Sequence, residues 1–164
     1  MNPALAGRTY PPLRYEVGRE KLREFATAVG ETGAVDHDEQ AARAAGHPDL
    51  PAVPTFPVVI GQRVGERIYA DPELGLDFSR VVHSEQELAY ERPVYAGDRL
   101  VATGRIAQVR AVGRHELLVV ETTIVTEDGA GVCTTRSTLL SRDTAAPRSR
   151  AAETGRSDPA EARR

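Results

Sequence analysis

Three side chains able to move protons crowd into one seven-residue run, Glu31-Thr-Gly-Ala-Val-Asp36-His37. A carboxylate and an imidazole aimed at the same small molecule supply the two halves of general acid–base chemistry. Such a run is useful only if its flanks hold it still. Upstream, Leu22, Phe25, Ala26 and Val29 recur at helical spacing and predict a helix with one buried apolar face. Gly30 is suited to close that helix in the left-handed conformation. Downstream, Asp38 is placed to cap a second helix over residues 39–45, which Gly46 and Pro48 stop. A plain interhelical loop with solvated carboxylates has the same spacing, so the residues alone leave both readings open.

Composition narrows the classes. The chain has 164 residues, 40% of them hydrophobic, which suits one domain with a real core. A net charge of −3 gives no electrostatic basis for binding nucleic acid. Cys133 is the single cysteine, so no internal disulfide forms and a reducing, cytoplasmic setting is expected. No apolar run approaches the ~20 residues of a membrane span, and the first residues lack the order of a signal peptide. The run Asp36-His37-Asp38 sends successive side chains in diverging directions, and no glycine-rich phosphate loop is present. Neither a metal nor another cofactor is expected.

Along the chain, residues 1–13 carry three prolines and little pattern and read as a flexible arm. Residues 14–17 suit a short strand. A proline-rich loop over 46–54 leads into a third helix over 55–70, with Thr55 as its cap and Pro57 in its first turn. This is the most apolar stretch: Phe56, Val59, Ile60, Val64 and Ile68 make one broad face, and Gly61 and Gly65 would let a sheet come close. From Val81 the pattern turns to strands. Val82, Ser84, Gln86, Leu88 and Tyr90 alternate with His83, Glu85 and Glu87, and three further strands follow over 99–109, 116–126 and 131–141. Helices before an antiparallel meander argue for an α+β fold in which a curved sheet wraps the apolar helix. Residues 143–164 hold no apolar side chain larger than alanine and are expected to be disordered, leaving one domain over 14–142.

That order of elements, with several local strings, resembles the hot-dog fold of the MaoC-like (R)-specific hydroxyacyl dehydratase/hydratase family. More narrowly, the chain is similar to the actinobacterial (3R)-hydroxyacyl-carrier-protein dehydratase subunits, of the FAS1-type dehydratase domain. The strings are residues 17–26, Pro54-Thr-Phe56, Asp71-Pro-Glu-Leu-Gly-Leu-Asp77, His83-Ser-Glu-Gln86, and Tyr90-Glu-Arg-Pro-Val94 with Ala96-Gly-Asp98. The resemblance implies addition or removal of water across the double bond of an acyl thioester by an Asp/His pair in a Gly-Asp-x-Asn-Pro-hydrophobic-His signature. It implies, too, that backbone N–H groups near Pro54, Thr55 and Phe56 bind the thioester oxygen. Here Gly30 and Val35 match the signature. Glu31 replaces its Asp, Gly33 its Asn, Ala34 its Pro and Asp36 its His, while His37 falls one residue late.

Two readings follow. In one, the chain is the supporting, acyl-binding subunit beside a second hot-dog chain with an intact pair. In the other, it is a self-sufficient hydratase using Glu31 and His37, with Asp36 a poor stand-in for histidine. A hot-dog thioesterase and a non-catalytic acyl-binding protein are further alternatives. The implied partners are an acyl-CoA or an acyl carrier protein thioester and, through an open sheet edge, a homodimeric or heterodimeric hot-dog mate. Arg92, Arg99, Arg105, Arg110 and Arg114 could gather at the tunnel mouth to meet an acidic carrier or CoA phosphates. Solvated strand positions explain them equally well.

Overall fold

The computed structural model describes residues 1–145. The expected tail over 143–164 therefore lies mostly outside the described residues. Strand β1 (Leu13–Glu16) precedes three helices, α1 (Arg19–Ala28), the single turn α2 (Ala34–His37) and α3 (Glu39–Ala44). The long helix α4 (Pro57–Tyr69) follows, and then strands β2 (Val81–Tyr90), β3 (Arg99–Val112), β4 (His115–Thr126) and β5 (Gly131–Ser141). All pair antiparallel in one sheet of order β1-β3-β4-β5-β2. The sheet curves around α4, the hot-dog architecture expected from the sequence.

The order corrects the expected four-strand meander. Only β3, β4 and β5 are joined by hairpins, while β2 pairs with β5 at the far edge. The segment after Tyr90 is a crossover rather than a turn. It buries Val94 and Ala96, and the Arg92 guanidinium grips both oxygens of Asp98 at 2.8 and 3.1 Å. The alternation along β2 also breaks once. A bulge at Ser84 gives His83 and Glu85 adjacent partners on β5, Leu139 and Thr138, so the two lie on opposite faces. Gln86, Leu88 and Tyr90 keep a common face, opposite Ser137, Thr135 and Cys133.

Helix α4 fills the concave face. Ile60 and Ile68 are wholly buried and Val64 nearly so, each contributing on the order of 1.5–3 kcal/mol of apolar burial. Two positions let helix and sheet touch. A Cβ at Gly104 on β3 would stand 2.3 Å from Val64 Cγ1, and one at Gly61 2.9 Å from Thr135 Oγ1. Gly65 serves a different purpose from the one expected, because its missing side chain makes room for the Tyr69 ring of its own helix. Thr55 is not the cap: the chain turns over Pro54–Phe56, and buried Phe56 caps α4 with no side-chain hydrogen bond. Val29 also departs from expectation. It is 50% exposed, because α1 ends at Ala28 and the chain leaves the buried stripe there.

Residues 1–13, expected to be a flexible arm, run along the edge of β3 beyond β1. Leu5 is buried against Ile106, Leu118 and Leu139, and Thr9 bridges Arg105. Tyr10 donates to Asp71 at 2.6 Å, and Arg8 reaches the same carboxylate at 3.0 Å. Burial, reinforced by that carboxylate, pushes the Tyr10 hydroxyl up to about 12. No helix among the described residues is long and apolar enough to cross a membrane.

Candidate functional site

The loop that follows α1 is tied from within. Gly30 takes φ +85°, and the Glu31 amide turns back to the Ala26 carbonyl at 2.9 Å, closing the helix as the sequence predicts. The run expected as open loop contains α2, whose single turn holds Asp36 and His37. Asp38 then accepts from the Ala41 amide at 2.8 Å and caps α3, again as predicted.

Within this frame no hydrogen bond or ion pair joins the three candidate acid–base side chains to one another among the described residues. His37 Nε2–H donates to the backbone carbonyl of Glu31 at 2.9 Å. A carbonyl only accepts, so Nε2 is the donor in this bond. The Asp36 carboxylate folds over Gly33, where an added Cβ would stand 2.9 Å from Oδ2. Glu31 is exposed, and Asp36 and His37 are half-buried. Arg23 Nε fixes the loop from α1 by donating to the His37 carbonyl at 2.8 Å, and its guanidinium also pairs with Glu20 and Glu39.

A second ionic knot locks α3 to α1. Arg19 grips Asp49 through two bonds of 3.0 and 2.7 Å, and Arg43 approaches the same carboxylate at 3.5 Å. The Arg19 guanidinium holds the Asp49 carboxyl down to about 2. Neither arginine stood out in the sequence, because a surface ion pair across 30 residues leaves no periodic mark.

The Pro54-Thr-Phe56 turn meets the α1 unit through aromatic contact. The Phe56 ring packs edge-on against Phe25, centroids 5.4 Å apart, and against Tyr15 at 6.3 Å. Of the backbone donors expected there, Pro54 has no N–H and the Phe56 amide is used by the Val53 carbonyl at 2.9 Å. The Thr55 N–H makes no hydrogen bond among the described residues and is the one donor left to a ligand.

Beside this turn lies an open apolar groove of about 330 Å³, lined by Ala52, Pro54, Tyr90 and residues 91–94. The Tyr90 hydroxyl donates to the Pro54 carbonyl at 2.6 Å and pins the end of β2 to the start of α4. Burial raises the Tyr90 hydroxyl well above its ordinary range and pushes the Cys133 thiol opposite it up to about 11. Neither group is poised to ionise near neutrality. The groove includes Pro54 of the predicted site but none of Glu31, Asp36 or His37. Tyr90 had been placed in a matching string, yet only the fold brings it to Pro54. Of the five arginines, only Arg92 lines the groove. Arg92 is bound to Asp98, Arg105 to Glu121 and Arg114 to Asp143.

The model of the family described as FAS1-like, dehydratase domain region, matches residues 4–135. The UPF0336 protein of Leifsonia xyli subsp. xyli is 50% identical over 143 residues, 87% of this chain and 96% of that protein. The UPF0336 protein of Streptomyces coelicolor is 44% identical over the same share of this chain and 95% of its own length. Among solved structures, a chain of the HadBC (3R-hydroxyacyl-ACP dehydratase) complex from Mycobacterium tuberculosis superposes with a TM-score of 0.73. It shares 29% identity and covers 83% of this chain and 96% of its own. A MaoC-like dehydratase reaches a TM-score of 0.78 at 26% identity, over 86% of this chain and 43% of that one.

Proposed function

From its membership of the FAS1-like dehydratase-domain family, to which this chain belongs, we propose that it is the supporting, acyl-binding subunit of a (3R)-3-hydroxyacyl-thioester dehydratase or enoyl hydratase. A second hot-dog chain with an intact Asp and His performs the chemistry. The observation that carries this reading is the His37 ring, whose Nε2–H is spent on the Glu31 carbonyl while no loop carboxylate pairs with it among the described residues. A base for C–H removal must reach substrate, and misplacement by ~1 Å costs about a hundredfold in rate. The similarity to a chain of a two-protein dehydratase complex supports the pairing. In this assembly the present chain supplies walls and a dipole: the groove beside Pro54 and Tyr90 takes part of the acyl thioester, as CoA or carrier-protein conjugate. This reading assigns the Thr55 N–H, at the start of α4, to the thioester oxygen.

The closeness of Glu31 and His37 within one loop favours a second reading, a self-sufficient hydratase using that pair. Hydration of crotonyl and longer trans-2-enoyl thioesters by the purified chain separates the two. The supporting role expects no turnover by the chain alone, and robust turnover overturns it. Should turnover occur, the second reading expects His37→Ala to abolish it, and an unaffected rate rejects that reading as well.

A further inference from the structure

Residues 31–45 are set between two glycines, Gly30 and Gly46, both at positive φ, +85° and +92°. Each lets the chain turn sharply at one end of the segment. Inside this bracket α2 packs on α1 and α3 on α2, and among the described residues neither makes extensive contact with α4 or a strand. The segment gives the core little. Ala42 is fully buried and Val35 half-buried, while the other side chains are partly or wholly exposed.

What fixes the segment is charge. Glu39, at the start of α3, faces three arginines, Arg19 at 3.3 Å, Arg23 at 3.4 Å and Arg43 at 3.6 Å. Each arginine has a closer partner elsewhere. Arg19 meets Asp49 at 2.7 Å, Arg23 the His37 carbonyl at 2.8 Å, and Arg43 Asp49 at 3.5 Å. Glu39 therefore ties α3 to Arg19 and Arg23 of α1 through long, secondary contacts. Exposed pairs of this kind are individually weak and weaken further as salt screens them. Helices of four and six residues do not keep their shape in water alone, so release from α1 and melting are one event.

What the segment covers is apolar. Val35 and Ala42 pack into the cluster that holds Leu22, Ala26, Leu50 and Phe56, with Phe25 edge-on to the Phe56 ring. Phe56 is also the residue that caps α4. Release of the segment uncovers that end of the cluster while the packing of α4 on the sheet stays intact.

We propose that residues 31–45 form a salt-latched lid, hinged at Gly30 and Gly46 and held shut by Glu39 against Arg19, Arg23 and Arg43. It opens by melting as one unit and controls approach to the apolar patch at the start of α4. This goes beyond the acyl-thioester reading and stands without it.

The test follows amide exchange by mass spectrometry and, in a second arm, the labelling rate of a thiol placed on the lid's inner side by Ala42→Cys. Amides of residues 31–45 are expected to exchange together, at least about tenfold faster than those of β3 to β5. Raising salt from ~0.05 M to ~0.5 M should quicken them about threefold. Glu39→Gln should quicken them about fivefold and reduce the salt effect, with β3 to β5 unchanged. Arg105→Gln, which breaks an exposed pair with Glu121 on the sheet, should leave the lid's rate as it is. The Ala42→Cys thiol is expected to label at the lid's rate and buried Cys133 far more slowly. Exchange over 31–45 no faster than in β3 to β5 overturns the proposal. So does a rate that neither salt nor Glu39→Gln moves, one that Arg105→Gln moves equally, or an Ala42→Cys thiol as slow as Cys133. Should Ala42→Cys fail to fold, the exchange arm decides alone. Opening is read here, not turnover, so this result and the acyl-thioester reading stand or fall separately.

Discussion

The α4–sheet half of the molecule and the α1–α3 half are held by different forces. Between α4 and the strands, contact is dry: Phe56, Ile60, Ile68, Leu100, Ile106 and Ile124 are all essentially inaccessible. From Gly30 to Asp49 the chain is held chiefly by polar links, Arg23 to the His37 carbonyl, Arg19 to Asp49, Asp38 to the Ala41 amide, and little apolar surface is covered beyond Ala42 and half-buried Val35. Dry packing depends on shape and tolerates few changes, whereas exposed ion pairs exchange readily with water and contribute less. The half that keeps the fold is thus distinct from the half that carries Glu31, Asp36 and His37. Substitutions at Glu31 or Asp36 cost the fold little.

The sharpest way to break that contrast is to truncate each half in turn. Ile60→Ala removes a side chain buried among Phe56, Val64 and Leu100 and leaves a cavity between helix and sheet. The expected loss is about 2–5 kcal/mol. At this chain length each kcal/mol lowers Tm by roughly 2–4 °C, so a fall on the order of 10 °C in thermal unfolding is expected. A loss no greater than that of the polar variants below would dissolve the distinction.

Asp49→Asn probes the ionic half, and pH gives it a signature that the core lacks. The Asp49 carboxyl is held at about 2, below its ordinary value, chiefly by Arg19. A depressed carboxylate contributes stability that is complete above the unfolded-state value near 4 and lost as pH falls toward 2. Wild type and Asp49→Asn should therefore differ by a few degrees in Tm at pH 7 and converge as pH falls through that window. Ile60→Ala should stay separated from wild type throughout. Curves for Asp49→Asn and wild type that remain parallel down to pH 2 would deny the carboxylate this role.

The two halves also differ in how far the sequence discloses them. Periodicity is a record of burial, so α4, the buried stripe Leu22–Ala26 and strands β3 to β5 were legible from their apolar spacing, and the caps at Gly30 and Asp38 from residue type. Strand order was not legible, because the partner of β2 is set by the crossover that Arg92 and Asp98 stabilise, and by the curvature of the whole sheet. The bulge at Ser84 escaped for a related reason: one extra residue reverses the face of everything before it while leaving the alternation intact to the eye. At the candidate site, residue types were readable but directions were not. Whether His37 faces a carboxylate or a carbonyl depends on the single turn α2, too short to leave a period. The meeting of Tyr90 with Pro54 spans 36 residues and has no local signal at all.

The smallest effect should come from the loop itself. His37→Ala removes the hydrogen bond to the Glu31 carbonyl, but that carbonyl is at the surface and water can take the place of the ring. Arg23 still holds the backbone at position 37 through the carbonyl, which the substitution retains. The expected cost is therefore about 0.5 kcal/mol, near the limit of a thermal melt, while amide exchange over residues 31–37 should quicken without any change in β3 to β5. Opening confined to one segment is what a locally held loop allows. A His37→Ala fall in Tm approaching that of Ile60→Ala would mean that the imidazole, despite its half-exposed position, closes the core, and the separation between the dry and the ionic halves would then have to be redrawn through α2.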